Sequence, residues 1–180
     1  KWVFSICPVS ENLYGILMLD ENNGWAVGAK GTILKYNGNN WQKIESPTDK
    51  TLHSVSFKDF KNGIAVGEFG TVILYKDGRW TNQQNVTKGD LFTAVYKNDY
   101  IWIAGGIECV NIPIMKLTNK DGLNIECSTE SFSIIKRICF SSEKDGWAVG
   151  SPSVLMHYDG SKWEKTQPDF KFPSLNSVYF

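Results

Sequence analysis

Short apolar runs alternate with polar turns along the whole chain, and none of the runs has the spacing of an amphipathic helix. Runs such as residues 32–36 (TILKY) and 52–57 (LHSVSF) are short, and they are followed by turns rich in Gly, Asn or Asp. Several runs are apolar at nearly every position, which is typical of a sheet that is covered on both faces. The pattern therefore predicts an all-β fold.

The runs recur as a repeat unit of about 40 residues. One marker is a Gly-Trp-Ala-Val-Gly sequence, found at residues 24–28, 63–67 (GIAVG) and 146–150, with a weaker copy, WIAG, at 102–105. A pattern similar to Leu-x-x-Val-x-Phe precedes each copy, and a Gly-containing turn ending in Trp41, Trp80 or Trp163 follows three of them. Because these markers keep the same spacing, we interpret the chain as tandem copies of one structural unit.

Each unit is predicted to contain four short strands, of which the second is the marker and the fourth begins at the Trp. The turn between the third and fourth strands is Asn37-Gly38, Asp77-Gly78 or Asp159-Gly160, a strong hairpin signal. Four-stranded units of this length are typical of propeller blades. The sequence therefore predicts an all-β fold, a β-propeller of four-stranded antiparallel blades.

We predict one partial propeller domain over residues 1–180, with about four full blades and partial end strands. The blades are expected at about 13–46, 52–84, 91–127 and 135–167, and the end strands at 2–6 and 175–180. We interpret the chain as a slice of a longer propeller, whose exposed blade faces would allow self-association. A compact ring of five units with one defective blade is the alternative.

The repeats resemble those of the photosystem II stability and assembly factors and their bacterial relatives. Those repeats carry a Gly-Trp-Ala-Val-Gly strand, a Gly-Thr-Ile-Leu strand and a turn ending in Gly and Trp, as residues 24–41 do here. The likeness covers nearly the whole chain and is weakest in the third unit. It implies a propeller that acts by binding rather than catalysis, of a bacterial, exported or cell-surface type with an extracytoplasmic location.

The turn at residues 158–163 (YDGSKW) also matches part of the Asp-box of BNR-type sialidase propellers, Ser-x-Asp-x-Gly-x-x-Trp. In that family the box is a structural turn and does not imply hydrolysis. Sialidases bind the carboxylate of their substrate with a cluster of arginines, whereas this chain has only two, Arg79 and Arg137. No carboxylate pair or nucleophile–base pair recurs at a useful spacing, so we predict that the protein is not an enzyme and assign no catalytic residue. A sialidase-like glycoside hydrolase is the weakest alternative.

Composition narrows the classes of ligand. The chain has 19 basic and 19 acidic residues and a formal net charge of zero, so it lacks the basic face that nucleic acids require. No apolar run approaches the ~18 residues of a membrane-spanning helix. The four cysteines, Cys7, Cys109, Cys127 and Cys139, form no CxxC pair, and their disulfide state is left open. We predict no metal site and no cofactor, and we expect His53 and His157 to be structural.

Candidate binding residues lie on loops, because the loops of several propeller blades converge on one face. The loop after the marker contributes Lys30 in the first unit, Glu68 and Phe69 in the second, and Glu108 and Asn111 in the third. The third unit departs from the repeat there, with a longer segment and Leu123 in place of the Trp. We predict that these five residues line a partner surface; drift in one tolerated loop is the alternative.

The favoured function is a non-catalytic binding or scaffold protein that recognises a protein partner, similar to an assembly factor. The alternative is a carbohydrate-binding propeller module of a secreted protein, which the seven Trp and seven Tyr residues suggest. The two functions differ in what they need: a protein partner requires the loop residues, and a sugar requires an exposed aromatic platform.

Overall fold

Four antiparallel sheets of four strands each make up the described part of the chain, which in the computed structural model comprises residues 5–83, 85, 87–106, 114–118, 126–127, 134–166 and 173–180. The first two sheets contain β1 (Leu13–Asp20), β2 (Asn23–Gly28), β3 (Ile33–Tyr36), β4 (Trp41–Ile44), β5 (Leu52–Asp59), β6 (Asn62–Gly67), β7 (Val72–Lys76) and β8 (Arg79–Asn82). The other two contain β9 (Leu91–Lys97), β10 (Tyr100–Gly105), β11 (Met115–Thr118), β12 (Glu126–Cys127), β13 (Ile134–Phe140), β14 (Gly146–Ser151), β15 (Val154–Tyr158) and β16 (Trp163–Lys165).

Within every sheet the strands neighbour one another in chain order, as in a propeller blade. The predicted fold class, all-β with four-stranded antiparallel blades, is confirmed, and we call the sheets blades 1 to 4. The chain divides into two compact units, Lys1–Val86 with blades 1 and 2, and Thr87–Phe180 with blades 3 and 4. Two short 3-10 turns follow β2 and β6: the Lys30 turn (Ala29–Gly31) and the Phe69 turn (Glu68–Gly70).

Blades 1, 2 and 4 each carry a row of four residues that crosses all four strands on one face. These rows, which we call socket rows, are Met18–Gly24–Tyr36–Trp41, Phe57–Gly63–Tyr75–Trp80 and Phe140–Gly146–Tyr158–Trp163. The strand-one side chain lies across the Gly, so that a Cβ on Gly63 would be 2.5 Å from the Phe57 ring. The first Gly of the repeat marker is therefore needed to seat a large side chain.

The adjacent residue on each strand points to the opposite face of the blade. There a Trp on the second strand faces a Lys or His side chain on the third, and these knob pairs are Trp25–Lys35, Trp102–Lys116 and Trp147–His157. The Lys35 Nζ lies 5.4 Å from the centre of the Trp25 ring, which is within the range of a cation–π contact. Blade 2 has Ile64 and Leu74 in place of the knob pair.

In each unit the knob of the earlier blade packs into the socket row of the later one. Trp25 lies 5.2, 4.9 and 5.5 Å, centre to centre, from the rings of Phe57, Tyr75 and Trp80. All four side chains are buried, and Val27, Leu52 and Ile73 belong to the same core of the first unit. Burial of such a Trp side chain contributes about 3–5 kcal/mol, so this joint is a main source of stability.

Trp102 makes the same joint in the second unit. Its ring centre lies 5.7, 5.2 and 5.9 Å from those of Phe140, Tyr158 and Trp163. The Trp at the start of the fourth strand therefore anchors the packing of neighbouring blades in both units, and Trp80 and Trp163 are 5% and 4% exposed.

The last Gly of the marker lets the second strand approach the start of the first strand closely. This happens at the edge of the blade that carries the loop after the marker, which we call the loop edge. A Cβ on Gly28, Gly67, Gly105 or Gly150 would lie 2.1, 1.9, 1.9 or 1.8 Å from the backbone oxygen of Asn12, Thr51, Asp90 or Ile134. In blades 1 to 3 the residue after this Gly donates its N–H to the same oxygen, over 2.9 to 3.0 Å. We call this backbone hydrogen bond, together with the close approach of the Gly, the edge clamp. It excludes a side chain at the last Gly of the marker.

The predicted turns between the third and fourth strands form in two ways. In blade 2 Asp77 and Gly78, with φ of 45° and 97°, make a two-residue turn between the paired residues Lys76 and Arg79. In blades 1 and 4 the turn is longer, because Asn37 or Asp159 accepts hydrogen bonds from two later backbone N–H groups.

The division into blades at the predicted bounds stays a prediction, and the end strand at 2–6 falls largely on residues outside the described part of the chain. Residues 173–180 form no strand, because a strand needs a ladder partner and the described residues supply none for them. Leu175 instead donates its N–H to the Gly150 oxygen over 3.0 Å. The described cysteine side chains, Cys7 and Cys139, are free thiols. Within the same described ranges, no helix has the length and apolar character needed to cross a membrane.

Candidate functional site

The Lys30 turn and the Phe69 turn share an unusual backbone. Lys30 has φ of 53° and Phe69 has φ of 54°, in the left-handed region that disfavours residues with a side chain. Backbone hydrogen bonds on both sides hold each conformation. In the Phe69 turn the Thr71 N–H donates to the Glu68 oxygen, and the Gly67 N–H donates to the Thr71 oxygen, each over 3.0 Å. Such strain is stored most often at binding sites, where it fixes the direction of a side chain.

The segment that connects blade 1 to blade 2, residues 45–51, runs beside both turns. Gly31 lies so close to this segment that a Cβ on it would be 1.9 Å from the Thr48 oxygen. The segment is shaped by its own side chains: the Ser46 Oγ donates to the Thr48 oxygen over 3.0 Å, and the Lys50 N–H donates to the Thr48 Oγ1 over 3.1 Å. The Lys30 turn therefore sits on a structured loop.

Glu68 fastens the far end of this segment to the Phe69 turn. Its Oε2 accepts the Thr51 N–H over 3.0 Å, and its own N–H donates to the Thr51 oxygen over 2.9 Å. The Asn85 Nδ2 donates to the Phe69 oxygen over 2.8 Å and supports the turn from the other side. The Glu68 carboxylate thus has a structural task, while the Phe69 side chain is 57% exposed.

A groove of about 600 Å³ opens between these elements. Its walls are mostly hydroxyl, amide and backbone groups, from Ser46, Pro47, Thr48, Asp49, Lys50, Thr71, Asn82 and Asn85. Asp49 and Lys50 form an exposed ion pair with 3.2 Å between Nζ and Oδ1, a kind of pair that contributes little to stability. The site therefore offers many hydrogen-bonding groups and a nearly balanced charge.

Three of the predicted site residues lie together at this edge of the first unit. Lys30 is exposed on its turn, Glu68 is half-buried against Thr51, and Phe69 projects from its turn. Glu108 and Asn111 lie outside the residues that the structure describes. The proposed role of all five in binding a partner stays a prediction.

The residues that sequence reasoning missed are those of the connecting segment and the end of blade 2. Ser46, Thr48, Asn82 and Asn85 belong to no repeat marker, so nothing distinguished them from ordinary polar loop residues. The Ser-Pro-Thr sequence at residues 46–48 was the available signal, because Ser and Thr next to Pro favour a locally hydrogen-bonded turn.

Other titratable groups in the described residues hold turns. The Asp59 Oδ1 accepts the N–H groups of Lys61 and Asn62 over 2.8 Å, and backbone N–H donation together with the Asn62 side chain lowers the pKa of Asp59. The corresponding donation by Lys162 and Ser161 lowers the pKa of Asp159 to about 2. Both aspartates therefore hold their turns by hydrogen bonds to backbone N–H groups.

The two histidines, which we expected to be structural, lie in the strands β5 and β15. The His157 Nε2 lies 2.6 Å from the Asp145 Oδ1, and its ring packs on Trp147 with 4.6 Å between centres. His53 packs edge-on against Tyr14. Asp145 also accepts a hydrogen bond from the Ser141 hydroxyl, and the Ser141 and His157 bonds together lower the pKa of Asp145. The His157 contacts tie β15 to β14 within blade 4, whereas the His53 contact joins β5 of blade 2 to β1 of blade 1.

Scans of family models and of curated protein sequences give no match for this chain. Solved β-propellers are similar in structure. The structure of YCF48 bound to D1 peptide has a TM-score of 0.67 and 20% identity, with 88% of this chain and 55% of that chain covered. The WD40 propeller domain of Doa1 has a TM-score of 0.68 and 9% identity, with 93% and 58% covered.

The propeller domain of Cps50 (Swd1) from Myceliophteria thermophila has a TM-score of 0.60 and 12% identity, with 82% of this chain and 53% of that chain covered. This chain therefore spans about half the length of these three structures. Likeness at such identities concerns the fold, and it agrees with the four-stranded blades described above: the chain has a β-propeller fold.

Proposed function

We propose that this chain is a non-catalytic binding propeller that holds an extended peptide segment of a protein partner at the loop edge of its first unit. The observation that carries the proposal is the polar groove beside an exposed Phe69 whose backbone is fixed in the left-handed region. A backbone that is already held in one conformation beside a preformed groove loses little conformational entropy on binding, which favours affinity.

The chemistry of the groove matches a peptide main chain. Hydroxyl and amide groups can both donate and accept, as the alternating N–H and C=O groups of an extended peptide require. Phe69 supplies an apolar contact for one peptide side chain, and aromatic residues are common among the dominant contacts of interfaces. Lys30, Lys50 and Asp49 lie at the rim, where charges tune the rate of association more than the affinity.

Two likenesses support this proposal. The repeats resemble those of photosystem II assembly factors, and a structurally similar propeller, YCF48, has been solved with a D1 peptide. We therefore extend the proposal to an assembly-factor-like role in an exported or cell-surface protein. Fractionation of the source cells with an antibody to this chain tests the location: recovery in the cytoplasmic fraction contradicts it.

Panning of a phage-displayed library of random peptides tests the binding function. The bait is the whole chain, and the affinity of enriched peptides is measured by calorimetry. Phe69→Ala keeps the strained backbone and removes the ring, so we expect binding about 30-fold weaker or more. Phe60→Ala is the matched control, because Phe60 is 60% exposed in the same blade but follows β5, at the opposite edge from the Phe69 turn.

Equal losses in both variants, or none in Phe69→Ala, contradict the proposed site. A failure to enrich any peptide, together with binding to a glycan array that needs an exposed aromatic residue, favours the carbohydrate-binding alternative instead.

A further inference from the structure

The turn that joins β3 to β4 holds a side-chain amide in an arrangement that favours its reaction with the main chain. The Asn37 Oδ1 accepts the backbone N–H groups of Asn39 and Asn40 over 3.1 and 3.0 Å. Two backbone donors on one carbonyl oxygen stabilise the negative charge that develops there when a nucleophile adds to the carbonyl carbon. The Asn37 Cγ is therefore a favourable point of attack for a nucleophile within reach.

The backbone nitrogen of Gly38 is such a nucleophile. It belongs to the next residue of the chain, so its attack on the Asn37 Cγ is intramolecular and closes a succinimide ring. Gly38 has φ of 92° and carries no side chain that would obstruct the approach. Within the described part of the chain, no group accepts a hydrogen bond from the Gly38 N–H. Asn37 is exposed and Gly38 half-buried, so water reaches both.

The chain has two further Asn-Gly pairs, Asn23-Gly24 and Asn62-Gly63, and the blades hold both of them differently. The glycines of these pairs are buried in β2 and β6, where each is paired with a strand on either side. Each asparagine Nδ2 donates to an aspartate Oδ1, that of Asp20 over 2.9 Å and that of Asp59 over 2.8 Å. The sheets therefore restrict the backbone rotation that ring closure needs, and a carboxylate holds each side-chain amide in place.

We propose that Asn37 is a site of spontaneous deamidation, to which the fold directs a reaction that it withholds from the other two Asn-Gly pairs. The Gly38 nitrogen bonds to the Asn37 Cγ and loses its proton to water, which returns a proton to the departing Nδ2. The Cγ–Nδ2 bond breaks and ammonia leaves. Water then opens the ring: cleavage between the ring nitrogen and Cγ gives aspartate at position 37, and cleavage between that nitrogen and the main-chain carbonyl carbon gives isoaspartate. One water is consumed and one ammonia released, and nothing is oxidised or reduced.

The two products have different consequences for blade 1. Aspartate gives the turn the chemistry of blade 4, where the Asp159 Oδ1 accepts the N–H groups of Ser161 and Lys162 over 2.8 and 3.0 Å. Isoaspartate adds a main-chain carbon between the paired residues Tyr36 and Trp41 and so disturbs the hairpin. Because β3 runs from the loop edge to this turn, the modified site lies at the opposite edge of the blade, and the proposal is independent of the peptide groove.

Site-resolved mass spectrometry of the whole chain tests the proposal, after the chain has aged in a mildly alkaline buffer made with water enriched in heavy oxygen. The label enters only the residues that deamidate during ageing. In the folded chain we expect Asn37 to react on the order of 100-fold faster than Asn23 and Asn62. The same measurement in urea is the control, because the three pairs have the same reacting groups and should react at similar rates once unfolded.

A matched pair of variants tests the two backbone donors. Asn40→Pro removes one N–H from the Asn37 Oδ1 and should slow the reaction at Asn37 about 10-fold or more, whereas Asn40→Ala keeps this N–H and should leave the rate unchanged. Far-UV circular dichroism shows whether both variants fold, and the comparison of the folded with the unfolded parent decides the matter if Asn40→Pro does not.

A slower reaction of Asn37 in the folded chain than in urea overturns the proposal, because the turn would then protect the amide. Label that enters Asn23 or Asn62 as fast as Asn37 in the folded chain also overturns it. Equal rates in folded Asn40→Pro and Asn40→Ala overturn the role given to the backbone donors.

Discussion

The joints between blades are nearly the same in the two units. The Trp25 ring centre lies 4.9 and 5.5 Å from those of Tyr75 and Trp80. The corresponding distances from Trp102 to Tyr158 and Trp163 are 5.2 and 5.9 Å, so equivalent distances differ by no more than 0.4 Å. The loop edges of the two units are less alike. The first has two 3-10 turns beside a polar groove. In the second, Ser153 also has a positive φ, of 49°, but it follows Pro152 and donates its N–H to the Pro173 oxygen over 3.2 Å.

This difference separates two kinds of constraint. The joint is fixed by shape, because a Trp needs a pocket of matching rings in a closely packed interior. The loop edge is fixed by backbone hydrogen bonds, which leave the exposed side chains free to vary. Residues that vary at an edge held by a constant backbone are therefore the place to look for specificity.

Removal of the knob Trp breaks the joint between two blades and should give the largest loss of stability. Trp25→Ala and Trp102→Ala each leave a cavity among three rings, and we expect each to lower the free energy of unfolding by about 3–5 kcal/mol. Urea denaturation measures this loss. If the two joints are equivalent, the two losses agree; a loss below about 1 kcal/mol in either variant contradicts the role of that Trp as an anchor.

Substitution of the last marker Gly tests the edge clamp in both units. In Gly67→Ala the Cβ would be 1.9 Å from the Thr51 oxygen, and in Gly150→Ala it would be 1.8 Å from the Ile134 oxygen, so the backbone must move. We expect each to cost about 3 kcal/mol, at the upper end for an overpacked site. Thermal and urea denaturation provide the measurement.

Gly78→Ala is the control for this series. No atom lies within 4 Å of a Cβ at Gly78, so only the strain of its positive φ remains, about 1–2 kcal/mol. A cost at Gly67 no larger than that at Gly78 would contradict the edge clamp, because Gly67 has an extended backbone and only close approach to the carbonyl penalises a side chain there.

Low pH should weaken the turn between the third and fourth strands in blade 4 but not the equivalent turn in blade 1. We expect this loss of stability to be the smallest of the three. Asp159 and Asn37 occupy equivalent positions and accept two backbone N–H groups each, but only Asp159 is charged. Since folding lowers the pKa of Asp159 to about 2, its charge stabilises the fold above the ordinary pKa of 3.8, and this contribution is lost as the pH falls towards 2.

The Asp159→Asn variant converts this turn to the chemistry of blade 1. Its melting temperature should be lower than that of the parent at neutral pH, and the gap should close as the pH falls to about 2. A gap that stays constant with pH would show that the charge of Asp159 does not stabilise the turn.

The repeat markers revealed the blades because their spacing is set by the framework. Gly63 and Gly67 recur because any side chain there would clash with Phe57 or with the Thr51 oxygen. Such a steric restriction can be recognised in the sequence as a repeated Gly. The knob-and-socket joint was less visible, because Phe57, Tyr75 and Trp80 come from three strands and meet only when the register is known.

The candidate site was predicted only in part. Lys30, Glu68 and Phe69 could be placed at the loop edge by their position after the marker, but the Glu68 bond to Thr51 depends on how two loops cross. The positive φ of Lys30 and Phe69 could not be predicted either, because neither residue is a Gly or Asn, which ordinarily signal that conformation.

The edge clamp also makes this fold a favourable template for engineered loops. Because it joins backbone to backbone, as in the bond from the Ala29 N–H to the Asn12 oxygen, the framework does not depend on the sequence inserted beyond it. The third unit already carries a longer sequence between Gly105 and Met115 than the four residues that separate Gly28 from Ile33. Libraries that randomise the exposed residues Lys30 and Phe69 should therefore yield new binders on an unaltered scaffold.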